Sequence, residues 1–158
     1  GVKANSWCHS RVVGYDFFPT FCEWAGVSPT SLPNGIEGGS IASLLSNAGQ
    51  GKVRRSREEL VFHFPHYQGD TPHSALILGD LKLMHFYEDG RDELYDLADD
   101  VGETKDLAAA QPALAKTLRT RLDAWLKSVD AQLPTKNPAY APAADANQGK
   151  KNAKAKKK

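Results

Sequence analysis

The chain has 158 residues, 41% of them hydrophobic and 25% charged, enough for one domain with a core of its own. Nothing in it approaches the roughly eighteen consecutive apolar residues of a membrane span. The net charge of +1 hides six lysines (Lys150, Lys151, Lys154, Lys156, Lys157 and Lys158); without them the body carries −5, which excludes a general basic face for nucleic acid.

The opening Gly1-Val2-Lys3 has no initiator Met, and residues 1–11 lack the apolar stretch of a signal peptide, so the sequence reads as one that begins mid-protein. Arg11-Val12-Val13 reads as a short strand. Asp16 is placed to cap a helix, with Pro19 in its first turn and Gly26 as a left-handed end. Phe17, Phe18, Phe21, Cys22, Trp24 and Ala25 cover nearly its whole circumference. A helix apolar all round must be buried on several sides, and in a chain this short that points to a surface outside it. Cys22, set among those aromatics, reads as a buried free thiol rather than a disulfide partner of Cys8, and metal-type cysteine spacing is absent.

Residues 27–57 are rich in Gly, Ser, Pro and Asn and read as loop, with a helical turn or two at the apolar patch Ile41–Leu45 and an exposed basic run from Lys52 to Arg57. Residues 58–97 have the alternation and turn residues of an antiparallel meander: Leu60–Phe64, Ser74–Leu78, the turn Gly79-Asp80, Leu81–Tyr87, the turn Asp89-Gly90, and Glu93-Leu94-Tyr95. Residues 111–131 form the clearest helix. Pro112 starts it, and Leu114, Leu118, Leu122, Trp125, Leu126 and Val129 recur at helical spacing, leaving Arg119, Arg121, Lys127 and Asp130 for water. Order is predicted to fade after about Tyr140, where the chain turns Pro/Ala-rich and then lysine-rich. The lysine tail is a disordered, solubilising extension on composition, or a handle for a polyanion. The fold class is therefore α+β: a four-stranded antiparallel meander packed by a C-terminal amphipathic helix, preceded by a buried aromatic helix that belongs to the interface with a missing partner domain.

Three stretches in this order resemble the C-terminal third of the type I sulfatases, the arylsulfatase-like branch of the alkaline phosphatase superfamily. The first is Asp16-Phe17-Phe18-Pro19-Thr20 with Trp24-Ala25-Gly26-Val27, similar to a D-x-x-P-T helix and its end. The second, Leu32-Pro33-Asn34-Gly35-Ile36-Glu37-Gly38-Gly39-Ser40, is similar to a P-x-G-x-x-G-x-S loop. The third comprises His63-Phe64-Pro65-His66-Tyr67, Ser74-Ala75, Gly79-Asp80-Leu81-Lys82-Leu83, Glu93-Leu94-Tyr95-Asp96-Leu97, and the ending Gly102-Glu103-Thr104-Lys105-Asp106-Leu107-Ala108. Val101 and Asp106 depart from the pattern, standing where Pro and Asn are usual.

The resemblance implies a sulfuric ester hydrolase organised as follows: residues 1–39 the end of a catalytic domain and a connecting loop, 40–140 the C-terminal subdomain, and 141–158 a disordered tail. It implies that this part supports a missing N-terminal catalytic domain, lines the pocket for a sulfated small molecule or polysaccharide, and works in the periplasm or outside the cell. In such enzymes a formylglycine made from a C/S-x-P-S/A-R motif is the nucleophile and Asp and Asn side chains hold calcium. Neither set is in this sequence, so no cofactor is expected on this chain and the chain alone is expected to be inactive. The nearest match, Cys8-His9-Ser10-Arg11, has Arg one position early and Ser in place of Pro.

His63 and His66, with Asp70 and His73 nearby, allow three readings. They form a hydrogen-bonded strand-end cluster, or a metal site, which would need Pro65 to bend the strand and further ligands. Or they contact substrate, as the resemblance implies for the loop after the first strand: His66 and Tyr67 first, then His63, then His73. Lys82 is either solvated or an anion contact. A different class remains: a stand-alone interaction module using its lysine tail on a polyanion and its aromatic helix on a protein.

Overall fold

A computed structural model describes residues 2–67, 69 and 71–138. The lysine tail, the boundary at Tyr140 and Asp70 lie outside the described residues. The elements in order are helix α1 (Phe17–Trp24), α2 (Ala42–Ser46), strands β1 (Leu60–Phe64), β2 (His73–Leu78), β3 (Leu81–Phe86) and β4 (Asp92–Asp96), and α3 (Pro112–Ser128), with short 3-10 turns at Gly14–Asp16 and Pro29–Ser31. The meander is as expected, in the spatial order β1-β2-β3-β4 with every neighbour antiparallel.

Register decides what each sheet face carries. Val61 opposes Leu76, Leu76 opposes Leu83, and Leu83 opposes Leu94. Because side chains alternate between faces, this row points one way and the intervening residues the other. α3 covers the row with Ala115, Leu118, Leu122 and Leu126, which recur at helical spacing and close the main core. Pro112 sits at the N-terminal start of α3, where its missing N–H costs nothing. At the other end Asp130 takes φ +50° and closes a Schellman-type cap, with Asp130 N donating to Lys127 O and Ala131 N to Leu126 O.

Several local expectations give way to long-range contacts. Arg11-Val12-Val13 is not a strand; its backbone has no sheet partner, because Arg11 instead reaches the β2–β3 turn through Gly79 O and Asp80. α1 does end in a left-handed glycine: Gly26 has φ +75°, Gly26 N donates to Glu23 O and Val27 N to Cys22 O. Its start is different. Asp16 precedes the helix without a side-chain cap on α1, because both carboxylate oxygens are used elsewhere. The aromatic helix is not buried within this chain, in keeping with its need for a surface outside it: Phe17, Phe18 and Phe21 are about half exposed and Trp24 is 60% exposed, while Pro19 and Thr20 are the covered residues. Cys22 is half-buried and Cys8 exposed, both free thiols.

Candidate functional site

The first two motifs form one clamp. Asp16 is fully buried, and its carboxylate accepts from Val13 N (2.9 Å), Gly39 N (3.0 Å), Arg55 Nε (2.9 Å) and Arg55 Nη2 (2.6 Å). Burial alone would raise its pKa, but the Arg55 guanidinium and the two backbone N–H groups override it and hold the carboxyl below its ordinary 3.8. Thr20 continues the clamp: its hydroxyl donates to Asp16 O and accepts from Ile41 N at 3.0 Å. So the acid of the first motif binds the backbone of the second at Gly39, and the threonine binds Ile41 just after it. The glycines of the second motif follow from that closeness, since a Cβ on Gly38 would collide with the carbonyl of Tyr15 and one on Gly39 with that of Arg54. Arg55, expected in an exposed basic run, is drawn under this contact instead, with its side chain only 10% exposed.

The end of the sheet that carries the histidines holds a polar network at the margin of the α3-facing side. His63 Nδ1 lies 2.6 Å from Ser74 Oγ, and His63 Nε2 lies 3.0 Å from Gln132 O. Ser74, fully buried, also meets the Tyr87 hydroxyl at 2.7 Å. His85 Nδ1 lies 2.7 Å from Asp92 Oδ1, and Arg119 of α3 pairs with the same carboxylate and contacts His85. Burial raises the Tyr87 pKa, with Asp123 adding to the shift, so its phenol stays protonated at neutral pH. Every member is satisfied; no buried side-chain nitrogen or oxygen among the described residues lacks a partner. Arg119, expected to face water, is drawn to Asp92 instead, and the sequence does not reveal its network with Ser74, His85 and Asp92 because only the cross-strand register and the docking of α3 bring them together.

The four predicted contact residues do not form a single cluster. His63 is held on the α3-facing side of β1 by Ser74 and Gln132. His73 belongs to the opposite side, between the rings of Phe64 (5.8 Å) and Phe86 (5.6 Å), with Nδ1 on Thr71 O. His66 and Tyr67 are exposed beyond the end of β1, and Tyr67 donates to Glu88 Oε1 at 2.7 Å, joining that loop to the β3–β4 connection. Among the described residues, which leave out Asp70, no group of three His, Cys, Asp or Glu side chains is placed to hold an ion. Among the described residues no helix is long and apolar enough to cross a membrane.

Residues 1–132 match the family model for N-sulphoglucosamine sulphohydrolase, C-terminal. The chain belongs to this sulfatase C-terminal family. It is 38% identical over 124 residues to a sulfatase of Formosa agariphila, covering 70% of this chain and 22% of the relative. It is 30% identical over 109 residues to an N-acetylglucosamine-6-O-sulfatase of Bacteroides thetaiotaomicron, covering 67% and 19%. The chain thus spans about a fifth of the length of these curated relatives. Among solved structures, one protein in complex with its substrate D-glucosamine-2-N,6-O-disulfate superposes with a TM-score of 0.63 at 29% identity, covering 84% of this chain and 27% of that one. A 2-O GAG sulfatase superposes at 0.60 with 25% identity, covering 78% and 27%.

In this sulfatase C-terminal domain the later parts of the third motif, from Lys82 to Ala108, make structural contacts. Lys82 is not a free anion contact: its ammonium lies 2.6 Å from both oxygens of Glu103. Asp106 does the work of an acceptor, taking Leu94 N (2.9 Å) and Ala108 N (2.8 Å), while Leu107 N bonds Leu94 O and docks the ending onto β4. An acid serves there as well as Asn, since both donors are backbone N–H groups. Val101 is 86% exposed at its turn, so the absent Pro removes no packing. Cys8, the nearest match to a formylglycine precursor, does not fit that role. Cys8 is exposed and Arg11, its nearest cationic partner in sequence, is spent on Asp80 and Gly79.

Proposed function

We propose that the chain is the supporting and substrate-lining part of a sulfuric ester hydrolase whose nucleophile and calcium ion reside in an N-terminal catalytic domain. The observation that carries this reading is the exposed aromatic face of α1. Phe17 and Phe21 stack at 6.1 Å and Phe21 meets Trp24 at 5.9 Å, forming a continuous apolar stripe beside the buried clamp. Such a stripe is a surface waiting for a partner, and the catalytic domain is the occupant that family membership supplies. The loop at His66 and Tyr67 then lines the pocket, with imidazole and phenol groups suited to sugar hydroxyls and sulfate oxygens. His63 and His73 stand behind that loop, one on each face of the sheet, and fix the strand ends from which it projects.

The substrate class is a sulfated sugar, in keeping with the relatives' own substrates, and the working compartment is the periplasm or the outside of the cell. Alone, the chain does not turn over substrate. The purified chain assayed with an aryl sulfate, with and without calcium, is expected to release no sulfate; release above that of a His66→Ala control overturns the reading. The reading frame upstream of Gly1 is expected to encode the C/S-x-P-S/A-R motif and the acidic calcium ligands. A start codon and ribosome site directly before Gly1 would instead favour the stand-alone interaction module.

A further inference from the structure

At the end of the sheet opposite His66 and Tyr67, a groove of about 690 Å³ opens between residues 7–11, residues 49–58 and the β2–β3 turn. Its lining is strongly cationic: Arg11, Lys52, Arg54, Arg55 and Arg57, against the carboxylates of Glu58 and Asp80. Two of the cations are already neutralised, Arg55 by Asp16 and Arg11 by Asp80. Lys52 and Arg54 are exposed and pair with no carboxylate among the described residues, and Arg57 reaches only the Ser128 hydroxyl, at 3.5 Å. With Glu58 counted against Lys52, Arg54 and Arg57, the groove keeps an excess of positive charge on a body whose charge without the tail is −5.

The same groove carries Trp7, 82% exposed. Its segment is held down rather than loose. Ser10 Oγ donates to Gly51 O at 3.0 Å, and Gly49 packs so tightly beneath the Trp7 carbonyl and Cys8 that a Cβ there would collide. An exposed indole on a backbone held in place, lining the same groove as these cations, supplies two things at once: a flat apolar face for the C–H face of a sugar ring, and charge-assisted donors for its anionic substituents.

We propose that this groove binds a sulfated polysaccharide chain, with Trp7 against a sugar ring and Lys52, Arg54 and Arg57 on sulfates. The choice of sulfate rests on the hydrolase reading above; the groove and its charge do not. A single-stranded nucleic acid would need a cationic track along its backbone with successive stacking platforms, whereas these cations gather about one tryptophan.

The lysine tail could bind a polyanion by itself, so the test starts from the full chain with all six tail lysines changed to Gln. Its affinity for heparin oligosaccharide, N- and O-desulfated heparin and a DNA strand of equal charge is measured by calorimetry at low and moderate salt. The tail-neutral chain is expected to bind heparin oligosaccharide, to lose binding on desulfation, and to prefer the sugar over DNA. Trp7→Ala and the double change Lys52→Gln with Arg54→Gln are each expected to weaken binding by about tenfold or more, lessening as salt is raised. These side chains are exposed and make no ion pair, so circular dichroism and Tm should not move, and either variant suffices if the other misfolds. The proposal is overturned if the tail-neutral chain does not bind, if folded groove variants bind like the parent, or if DNA binds equally well. Failure of the hydrolase reading looks different: sulfated sugar still binds, but the enzyme carrying the catalytic domain releases no sulfate.

Discussion

The two helical regions of this chain are built on opposite plans. Around α3 the apolar side chains find each other: Leu118, Leu122 and Leu126 lie against Leu76, Leu83 and Leu94, and the charged residues stay at the margin. Around α1 the arrangement is inverted, with Asp16 and Thr20 fully buried and four aromatic side chains about half in water. The α3 region closes its own core. The α1 region is fastened by polar bonds on one side so that its apolar side is free to meet another surface. A buried charge pair is a poor source of net stability but is costly to break, so it specifies one arrangement rather than strengthening it.

That contrast can be broken from either side. Arg55→Ala leaves the Asp16 carboxylate buried without its cation, and is expected to cost about 3–5 kcal/mol in denaturant unfolding. Amide exchange should show the loss centred on residues 13–41 and not on the meander. Leu122→Ala empties the other core, and a loss of roughly 2–5 kcal/mol is expected, read by the same unfolding curves with the sheet now affected. If Arg55→Ala proves near neutral, the polar plan for α1 is wrong.

Acid sharpens the same point. The folded-state pKa of Asp16 is depressed, so its contribution is fully present above the ordinary value of 3.8 and is lost as pH falls through the lower folded value. Tm measured against pH should therefore drop below about pH 4, and Asp16→Asn should flatten part of that drop from a lower plateau. A smaller effect is expected from the helix end: Asp130→Gly relieves a left-handed backbone and should stabilise the chain by about 1 kcal/mol in Tm-derived unfolding. Smallest is Trp24→Gln, expected to change stability by no more than about 0.5 kcal/mol while lowering self-association in sedimentation and binding of an apolar dye. A large loss of stability there would mean that α1 is buried within the chain after all.

Much of the meander was legible because alternation and turn residues are local signals. Leu60–Phe64 and the Gly79-Asp80 turn fall where the pattern puts them, and the α3 stripe follows from spacing alone. Asp16 was read as a cap because its neighbours are those of a cap; its true partner Arg55 stands 39 residues away and belongs to a stretch that looks like solvent-facing charge. The same reason hid the polar network. Ser74, His85, Asp92 and Arg119 are unremarkable one at a time, and only the pairing of His85 with Asp92 and of Ser74 with His63 makes them one network. The histidines also looked like one cluster in sequence, but the strand places His63 and His73 on opposite faces.

By itself the sequence determined the elements, their order, and the apolar faces that join α3 to the sheet, since these depend on periodicity and turn chemistry within a few residues. Its ordered motifs also determined the family. Only the tertiary structure decided which charges are structural and which are free. Arg55, Lys82 and Arg119 are spent on carboxylates brought from distant stretches, whereas Lys52 and Arg54 meet no carboxylate among the described residues and line the same groove as Trp7. Composition counts charges, but pairing depends on distances of a few ångströms between residues far apart in the chain, and those exist only once it has folded.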